Sequence, residues 1–347
     1  MKKLNVILFA KNYENYTSGY YHDDWVKAFK KLTNCFVYGE GYPNYNKKDT
    51  IEDVIAKSPF TKNEIDLIVC ATSWDVDTRI DTVDPHPNIS LSKISSIPKF
   101  YFLNKEYKKL NLRFEYIKKN KFDFVGSVLW YKLEEWEKKL GIKFIHTPFG
   151  VNLERFRDFG LQKKWDFGFT GSLHKNYTDI RFKVKKELFK ESHINQLSTH
   201  GLSRLLRGDP IKEKYKKYRI FWAEFGARNL LFRSLLPAGI KYAKFLNQFK
   251  VFLNTPSALG IINTRFYELM ATKTLIFCPE SWYYANFLKD GENCIMFKED
   301  MSDFEQKLKL AIEDEKLRVK IVENNYKNIK KYTYENYLKN ILEKILY

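Results

Sequence analysis

Phe252-Leu253-Asn254-Thr255-Pro256-Ser257-Ala258-Leu259-Gly260-Ile261-Ile262-Asn263-Thr264-Arg265-Phe266-Tyr267-Glu268-Leu269-Met270-Ala271 reads as a strand, a loop and a helix. Phe266, Leu269 and Met270 recur at helical spacing as one apolar stripe, and Arg265 and Glu268 share another face. Asn263 or Thr264 is placed to cap the helix start. Strand, loop and capped helix in this order is the building unit of open parallel α/β sheets. It also has a chemical consequence. Unpaired N–H groups at a helix start carry partial positive charge, so a diphosphate is stabilised there, and an arginine in the first turn adds a bidentate contact. Glu268, one turn on, suits the vicinal hydroxyls of a ribose, each bond contributing on the order of 1.5–3 kcal/mol when shielded from water. As an exposed intrahelical pair, Arg265 and Glu268 would contribute only about 0.3–0.5 kcal/mol.

Outward from this stretch the same alternation continues in both directions. Upstream, Asp166-Phe167-Gly168-Phe169-Thr170-Gly171-Ser172-Leu173-His174-Lys175-Asn176 is a strand ending in a Gly-Ser turn, and a helix carrying Arg181 follows over about 178–189. Gly171 lets backbone approach a ligand at the carboxyl edge of a parallel sheet, where open α/β folds bind nucleotides. Downstream come a strand at Thr274 to Pro279, helices at about 302–313 and 315–331, and a last amphipathic helix over 334–346. In the first half, Val6 to Ala10, Cys35 to Tyr38, Ile65 to Ala71, Lys99 to Leu103, Phe122 to Ser127 and Phe144 to Thr147 are short apolar runs separated by helix-length segments. A sheet covered on both faces requires such runs. The pattern breaks at Pro148-Phe149-Gly150-Val151-Asn152, which divides the chain into an N-terminal domain over 1–152, a C-terminal domain over 153–331, and a final helix over 332–347 packing across domains.

The 347 residues, 44% hydrophobic and 17% aromatic, suffice for two cores. The N-terminal apolar run is too short for a secretory leader, and no window approaches the length needed to span a bilayer, so the expected location is the cytoplasm, with any membrane contact peripheral. Cys35, Cys70, Cys278 and Cys294 form no CxxC pair and imply neither zinc nor disulfides. Asn-x-Ser/Thr triplets at Asn15, Asn88 and Asn176 have no meaning without export. The net charge of +18 suits an anionic partner, or reflects general Lys enrichment. Eleven Lys/Arg against three Asp/Glu, interleaved with apolar residues, fall between Ser203 and Lys244. That stretch reads either as a pair of core-packing helices with a solvated face or as a peripheral contact with an anionic membrane.

From about Pro148 to Tyr347 the chain resembles GT-B glycosyltransferases, particularly the group-1-like branch that includes the spore-maturation protein CgeB. The resemblance is carried by Pro148-Phe149-Gly150-Val151-Asn152, by Asp166 to Gly171 with Arg181 following, by Asn263 to Glu268, and by Asp290-Gly291-Glu292-Asn293-Cys294-Ile295-Met296-Phe297, in that order. It implies two Rossmann-like domains facing a central cleft, a nucleotide-sugar donor in the C-terminal domain with the helix glutamate on the ribose, an acceptor held by the N-terminal domain, and no required metal. The chain departs from that pattern in two places. Many retaining relatives carry Glu-x7-Glu, and the position of the first glutamate is Gly260 here; the glycine usual after the helix is Lys273.

The expectation is thus a metal-independent hexosyltransferase that moves a sugar from a UDP- or GDP-sugar to a glycan or lipid-linked acceptor in surface polysaccharide or glycoconjugate synthesis. The nucleotide sugar is a co-substrate and no cofactor is expected. Gly171, Ser172, Lys175, Arg181, Asn263, Thr264, Arg265 and Glu268 are the donor-binding candidates. Asp23, in the first strand-to-helix loop, and Glu106, past the strand ending at Leu103, are the candidates for handling an acceptor proton. His22, His86 and His146 have no recognisable partner in sequence and are left out. Two rivals remain: a basic nucleic-acid-binding or nucleic-acid-modifying protein, for which no recognition motif appears, and a noncatalytic two-lobed ligand-binding protein.

Overall fold

The computed structural model describes residues 3–14, 19–74, 86–94, 96–173, 179–190, 210–224, 239–285 and 287–346. The chain divides into two compact units, Met1–Gly150 with Thr333–Tyr347, and Val151–Tyr332.

In the first unit β1 (Asn5–Phe9), β2 (Asn34–Tyr38), β3 (Leu67–Cys70), β4 (Lys99–Phe102), β5 (Phe124–Ser127) and β6 (Lys143–His146) form one sheet in the order β2-β1-β3-β4-β5-β6. Every neighbouring pair is parallel. The chain leaves β1 for β2 on one side and returns to β3 on the other, so the winding reverses between β1 and β3. Helices α1 (Tyr20–Leu32), α2 (Ile51–Lys57), α3 (Leu110–Lys119) and α4 (Leu133–Leu140) alternate with the strands. All residues of β3 and β4 are buried, which is why they read as apolar runs; the exception, Lys99 at the start of β4, donates from its ammonium to Ile94 O at 3.1 Å.

The second unit holds β7 (Trp165–Gly171), α5 (Ile180–Leu188), β8 (Ile220–Glu224), α6 (Gly239–Asn247), β9 (Phe249–Leu253), α7 (Thr264–Ala271), β10 (Leu275–Pro279), β11 (Ile295–Phe297), α8 (Phe304–Glu313) and α9 (Glu315–Asn328). Its strands are parallel in the order β11-β10-β9-β7-β8, so the winding reverses between β7 and β9. Gly168 permits that pairing, since a Cβ there would lie 2.3 Å from the Phe249 ring. Phe167, Val251, Leu253, Phe277 and Phe297 from the strands meet Val184, Leu188, Phe304, Leu308 and Ile321 from the helices in one core.

The final helix, α10 (Tyr334–Leu346), groups with the first unit. Tyr334, Leu338 and Ile341 join the core of Val6, Leu8, Trp25 and Phe102, with the Tyr334 ring 5.0 Å from that of Trp25. Lys31 on α1 pairs with Glu335 at 3.2 Å.

Part of the basic stretch departs from the helical reading. Residues 201–209 and 225–238 lie outside the described residues, but Ile220–Glu224 is a strand, paired along β7 from Phe167↔Ile220 to Gly171↔Glu224. Aromatic rings cover both of its faces: Trp222 stands 4.4 Å from Phe169, and Phe221 stands 5.2 Å from Phe245. Two-sided burial of a short β-prone run outweighs the helical spacing of the charges beside it. Those charges have partners within the unit. Lys214 pairs with Glu187 at 2.7 Å and Glu305 at 2.6 Å, and Lys217 with Glu313 at 2.6 Å.

Lys273 occupies the left-handed region at φ 49, which explains why a glycine is usual there. Its ammonium is held by Glu323 at 2.9 Å and Asp158 at 3.4 Å.

Asp166 at the second position of β7 accepts from Arg219 N at 2.9 Å, Arg219 Nε at 3.1 Å and Nη2 at 3.0 Å, and pairs with Lys250 at 2.8 Å. Burial acts to raise its pKa, but Arg219 and Lys250 outweigh it and hold the carboxyl well below the usual range. The folded protein therefore keeps Asp166 ionised to lower pH than the unfolded chain. The stability this supplies is complete above the ordinary aspartate range and fades as pH falls below it. Asp166→Asn is expected to flatten the acid limb of the stability curve, read from urea midpoints between pH 7 and pH 3.

Candidate functional site

Polar side chains of the second unit collect where its winding reverses, the position at which open α/β sheets take ligands. Arg181, at the second position of α5, donates from Nε to Thr255 Oγ1 at 2.7 Å and from Nη1 to Ser172 O at 3.0 Å, bridging the carboxyl ends of β9 and β7. Arg265, in the first turn of α7, donates from Nη1 to Thr170 O on β7. Gly171 leaves room for this arrangement, because a Cβ there would come 3.0 Å from Phe169 Cζ and 3.5 Å from Arg181 Nη1. Asn263 caps α7: its Oδ1 accepts from Arg265 N at 3.2 Å and Asn254 Nδ2 at 3.1 Å, while its Nδ2 donates to Thr255 O at 2.8 Å. Thr264 is the first residue of the helix.

Both guanidiniums lie over aromatic rings. Arg265 is 5.7 Å from the Phe252 centroid and 6.0 Å from that of Tyr242, and Arg181 is 5.8 Å from that of Phe169. Burial, and next the charge of Arg265, push the Arg181 guanidinium down to about 10. Among the described residues no carboxylate pairs with either arginine. Thr170 Oγ1, Tyr242 OH and Arg265 Nε are buried and, among the described residues, make no well-aligned hydrogen bond. These three atoms face one another: the Tyr242 hydroxyl is pushed up by burial, lowered by the charge of Arg265, raised by that of Glu268, and lowered by its approach to Thr170 and Arg265. Three polar atoms grouped in this way beside two cations make this end of the unit polar and positively charged. Glu268, 6% exposed, faces the same neighbourhood.

The donor-binding candidates Gly171, Ser172, Arg181, Asn263, Thr264, Arg265 and Glu268 thus share one end of the second unit; Lys175 lies outside the described residues. Thr170, Tyr242 and Thr255 join them. Sequence reasoning passed these over because a single hydroxyl in a strand, helix or loop has no distinguishing spacing. Gly260 is explained by packing: at φ 68, its missing side chain leaves the space taken by the Tyr283 ring, and a Cβ would lie 2.1 Å from Tyr283 Cγ.

In the first unit, Asp23 on α1 pairs with Lys27 at 2.8 Å. Glu106, 3% exposed, accepts from Ser127 Oγ at 2.9 Å and Val128 N at 3.2 Å. Burial pushes the Glu106 carboxyl up, against the pull of these donors and of Arg113. At the β1/β3 reversal stands His22, whose Nδ1 lies 2.7 Å from Thr72 Oγ1; Asn104 Nδ2 donates to Thr72 O at 3.1 Å, and Tyr21 OH to Asn104 Oδ1 at 3.3 Å. Burial, and next Lys105, push the His22 imidazole down to about 3, so it is neutral at physiological pH. Gly19, left-handed ahead of α1, leaves room for the ring: a Cβ there would lie 3.2 Å from His22 Cδ2.

Residues 186–343 match the family model described as glycosyl transferase-like. No curated protein sequence matches the chain. Among solved structures the chain is similar to Anabaena HepE in complex with UDP and glucose, with 13% identity over 99% of each chain and a TM-score of 0.58. It is also similar to a glycosyltransferase from Rickettsia africae, at 12% identity over 100% of this chain and 99% of that one, TM-score 0.56. Sucrose-phosphate synthase from Thermosynechococcus elongatus matches at 10% identity over 99% of each chain, TM-score 0.54. The architecture is the GT-B fold of glycosyltransferases, two Rossmann-like units, and the C-terminal half carries the glycosyl transferase-like region.

Gly260→Ala is expected to displace Tyr283 and strain the loop, costing roughly 2–4 kcal/mol of overpacking and left-handed strain. Chemical denaturation of the variant checks this; an unchanged midpoint would contradict the packing described.

Proposed function

We propose that the protein is a metal-independent hexosyltransferase that takes its sugar from a UDP- or GDP-sugar bound at the β7/β9 reversal of the second unit and passes it to a glycan or lipid-linked acceptor. The observation that carries this reading is the Arg181–Arg265 couple, which no carboxylate among the described residues pairs, set beside the capped start of α7 and a group of three buried polar atoms. A dianionic diphosphate relieves the repulsion between the two guanidiniums and accepts from their N–H groups. HepE, solved with UDP and glucose and with UDP-glucose, has the same fold.

In the reaction a hydroxyl oxygen of the acceptor forms a bond to the anomeric carbon as that carbon's bond to the diphosphate oxygen breaks. The electron pair leaves with the nucleoside diphosphate, and Arg181, Arg265 and the α7 N–H groups stabilise the charge that develops there. Positive charge fixed by the fold takes the place of a cation, which is why we assign no metal. Glu268 accepts from the ribose hydroxyls and so orients the donor. The acceptor binds the first unit, and its proton passes to a group there, for which Asp23 and Glu106 remain candidates and the uncharged His22 is a third.

The reading predicts that UDP or GDP raises the melting temperature, since about 100 Kd of a ligand specific for the folded state adds about 2.7 kcal/mol. Glu268→Ala and Glu268→Gln are each expected to weaken that nucleotide about 10- to 100-fold, or roughly 1.4–2.8 kcal/mol. Arg265→Ala is expected to slow turnover more than it weakens binding. If no nucleoside diphosphate shifts the melting curve, the donor assignment is wrong.

A further inference from the structure

The carboxyl edge of the second unit carries a second feature, separate from the cationic end. After β10 the one-turn helix Trp282–Tyr284 presents two rings in contact, Trp282 and Tyr283, with centroids 4.1 Å apart and planes at 33°. Trp282 is 61% exposed, the most exposed of the large hydrophobic residues among those described. Tyr284, third in the turn, is buried and packs edge-on against Phe266 of α7 at 5.6 Å, so the turn is anchored to the helix that presents Arg265.

Tyr283 lies against Gly260, in the space a side chain there would need, and Leu259 beside it holds a left-handed conformation at φ 58 with its side chain 45% exposed. Hydrogen bonds from Ser257 N to Ile261 O at 2.8 Å and from Gly260 N to Ser257 O at 3.1 Å close this loop on itself. Trp282, Tyr283 and Leu259 thus make a wall that is apolar and held by a closed loop and an anchored turn. Trp282 and Leu259 leave on that support an exposed apolar surface that a ligand can cover.

The order of groups along the edge identifies that ligand. Glu268, Arg265 and Gly260 succeed one another from the body of α7 to its start and into the preceding loop, and the Trp282–Tyr283 wall stands against Gly260. A nucleotide sugar laid along this series has its ribose at Glu268 and its diphosphate at the arginines; the next group is the transferred sugar. A pyranose has a face of C–H bonds that stacks on an aromatic ring, and its hydroxyls point sideways into water or toward polar groups. We propose that Trp282, backed by Tyr283, is the surface on which the pyranose of the donor rests, and that this wall, with Gly260 in place of a carboxylate, sets which sugar is accepted. The inference rests on the donor reading above.

The test is isothermal titration of the full chain with UDP and GDP, and with UDP-glucose, UDP-galactose, UDP-N-acetylglucosamine and GDP-mannose, for the native protein, Trp282→Ala and Trp282→Phe. Because Trp282 is exposed, neither substitution threatens the fold. The expected result is a 5- to 20-fold weaker Kd in Trp282→Ala for the nucleotide sugar that the native protein prefers, a Kd for its parent diphosphate unchanged within twofold, and recovery of most of the loss in Trp282→Phe. An equal loss for diphosphate and nucleotide sugar overturns the proposal, because the ring would then contact the nucleotide itself. An unchanged Kd for both overturns it as well, while leaving the donor site in place. Failure of every diphosphate and nucleotide sugar to bind the native protein overturns the donor reading, and this proposal with it.

Discussion

Two guanidiniums held close together, partly buried and with no carboxylate between them among the described residues, repel one another, and the fold must supply what keeps them there. Arg181 is tied to Thr255 and to the Ser172 carbonyl, Arg265 to the Thr170 carbonyl. Each arginine thereby reaches across the β7/β9 boundary. The arrangement depends on those strands lying side by side with Gly168 opposite Phe252, which in turn depends on Gly168 leaving room for Phe249. Aromatic faces under both cations offset part of the cost without cancelling the charge. The uncompensated positive potential that remains is what an anionic ligand meets.

The two units, similar in architecture, use their reversal points differently. The second presents cations, a helix start and a group of buried polar atoms. The first presents His22, Thr72, Asn104 and Tyr21, joined by contacts among themselves and uncharged at neutral pH. The polar groups around His22 are thus neutral where those around Arg181 and Arg265 are charged. Desolvation accounts for the difference: it keeps the imidazole neutral, but it cannot discharge a guanidinium, which holds its proton at any physiological pH.

Charge in bulk proved less informative than charge in place. The +18 balance invited an anionic polymer or a membrane as partner. Yet Lys214, Lys217 and Arg219 of the basic stretch pair with Glu187, Glu305, Glu313 and Asp166 of the same unit. Such exposed pairs contribute little to stability, but they remove those residues as free attractors. The two arginines of the proposed donor site are a small fraction of the total and stand apart from that stretch.

By itself, the amino-acid order determined the alternation of buried strands and amphipathic helices, and with it the α/β class, because side-chain periodicity is a local property that burial on both faces imposes residue by residue. It also determined the α7 start to within one residue, since a cap at Asn263 or Thr264 and Arg265 and Glu268 on one face follow from spacing alone; the structure chose Asn263. Tertiary structure decided what depends on separate segments meeting. Ile220–Glu224 became a strand because Phe169 and Phe245 cover its two sides, a fact absent from the charged sequence around it. Arg181 and Arg265, 84 positions apart in the numbering, became one site only through the parallel pairing of β7 with β9. Gly260 read as a missing carboxylate in the sequence, and only the placement of the Tyr283 ring showed that no side chain fits there. Periodicity is written along the chain, whereas convergence is set by which strand ends the packing of the core brings side by side.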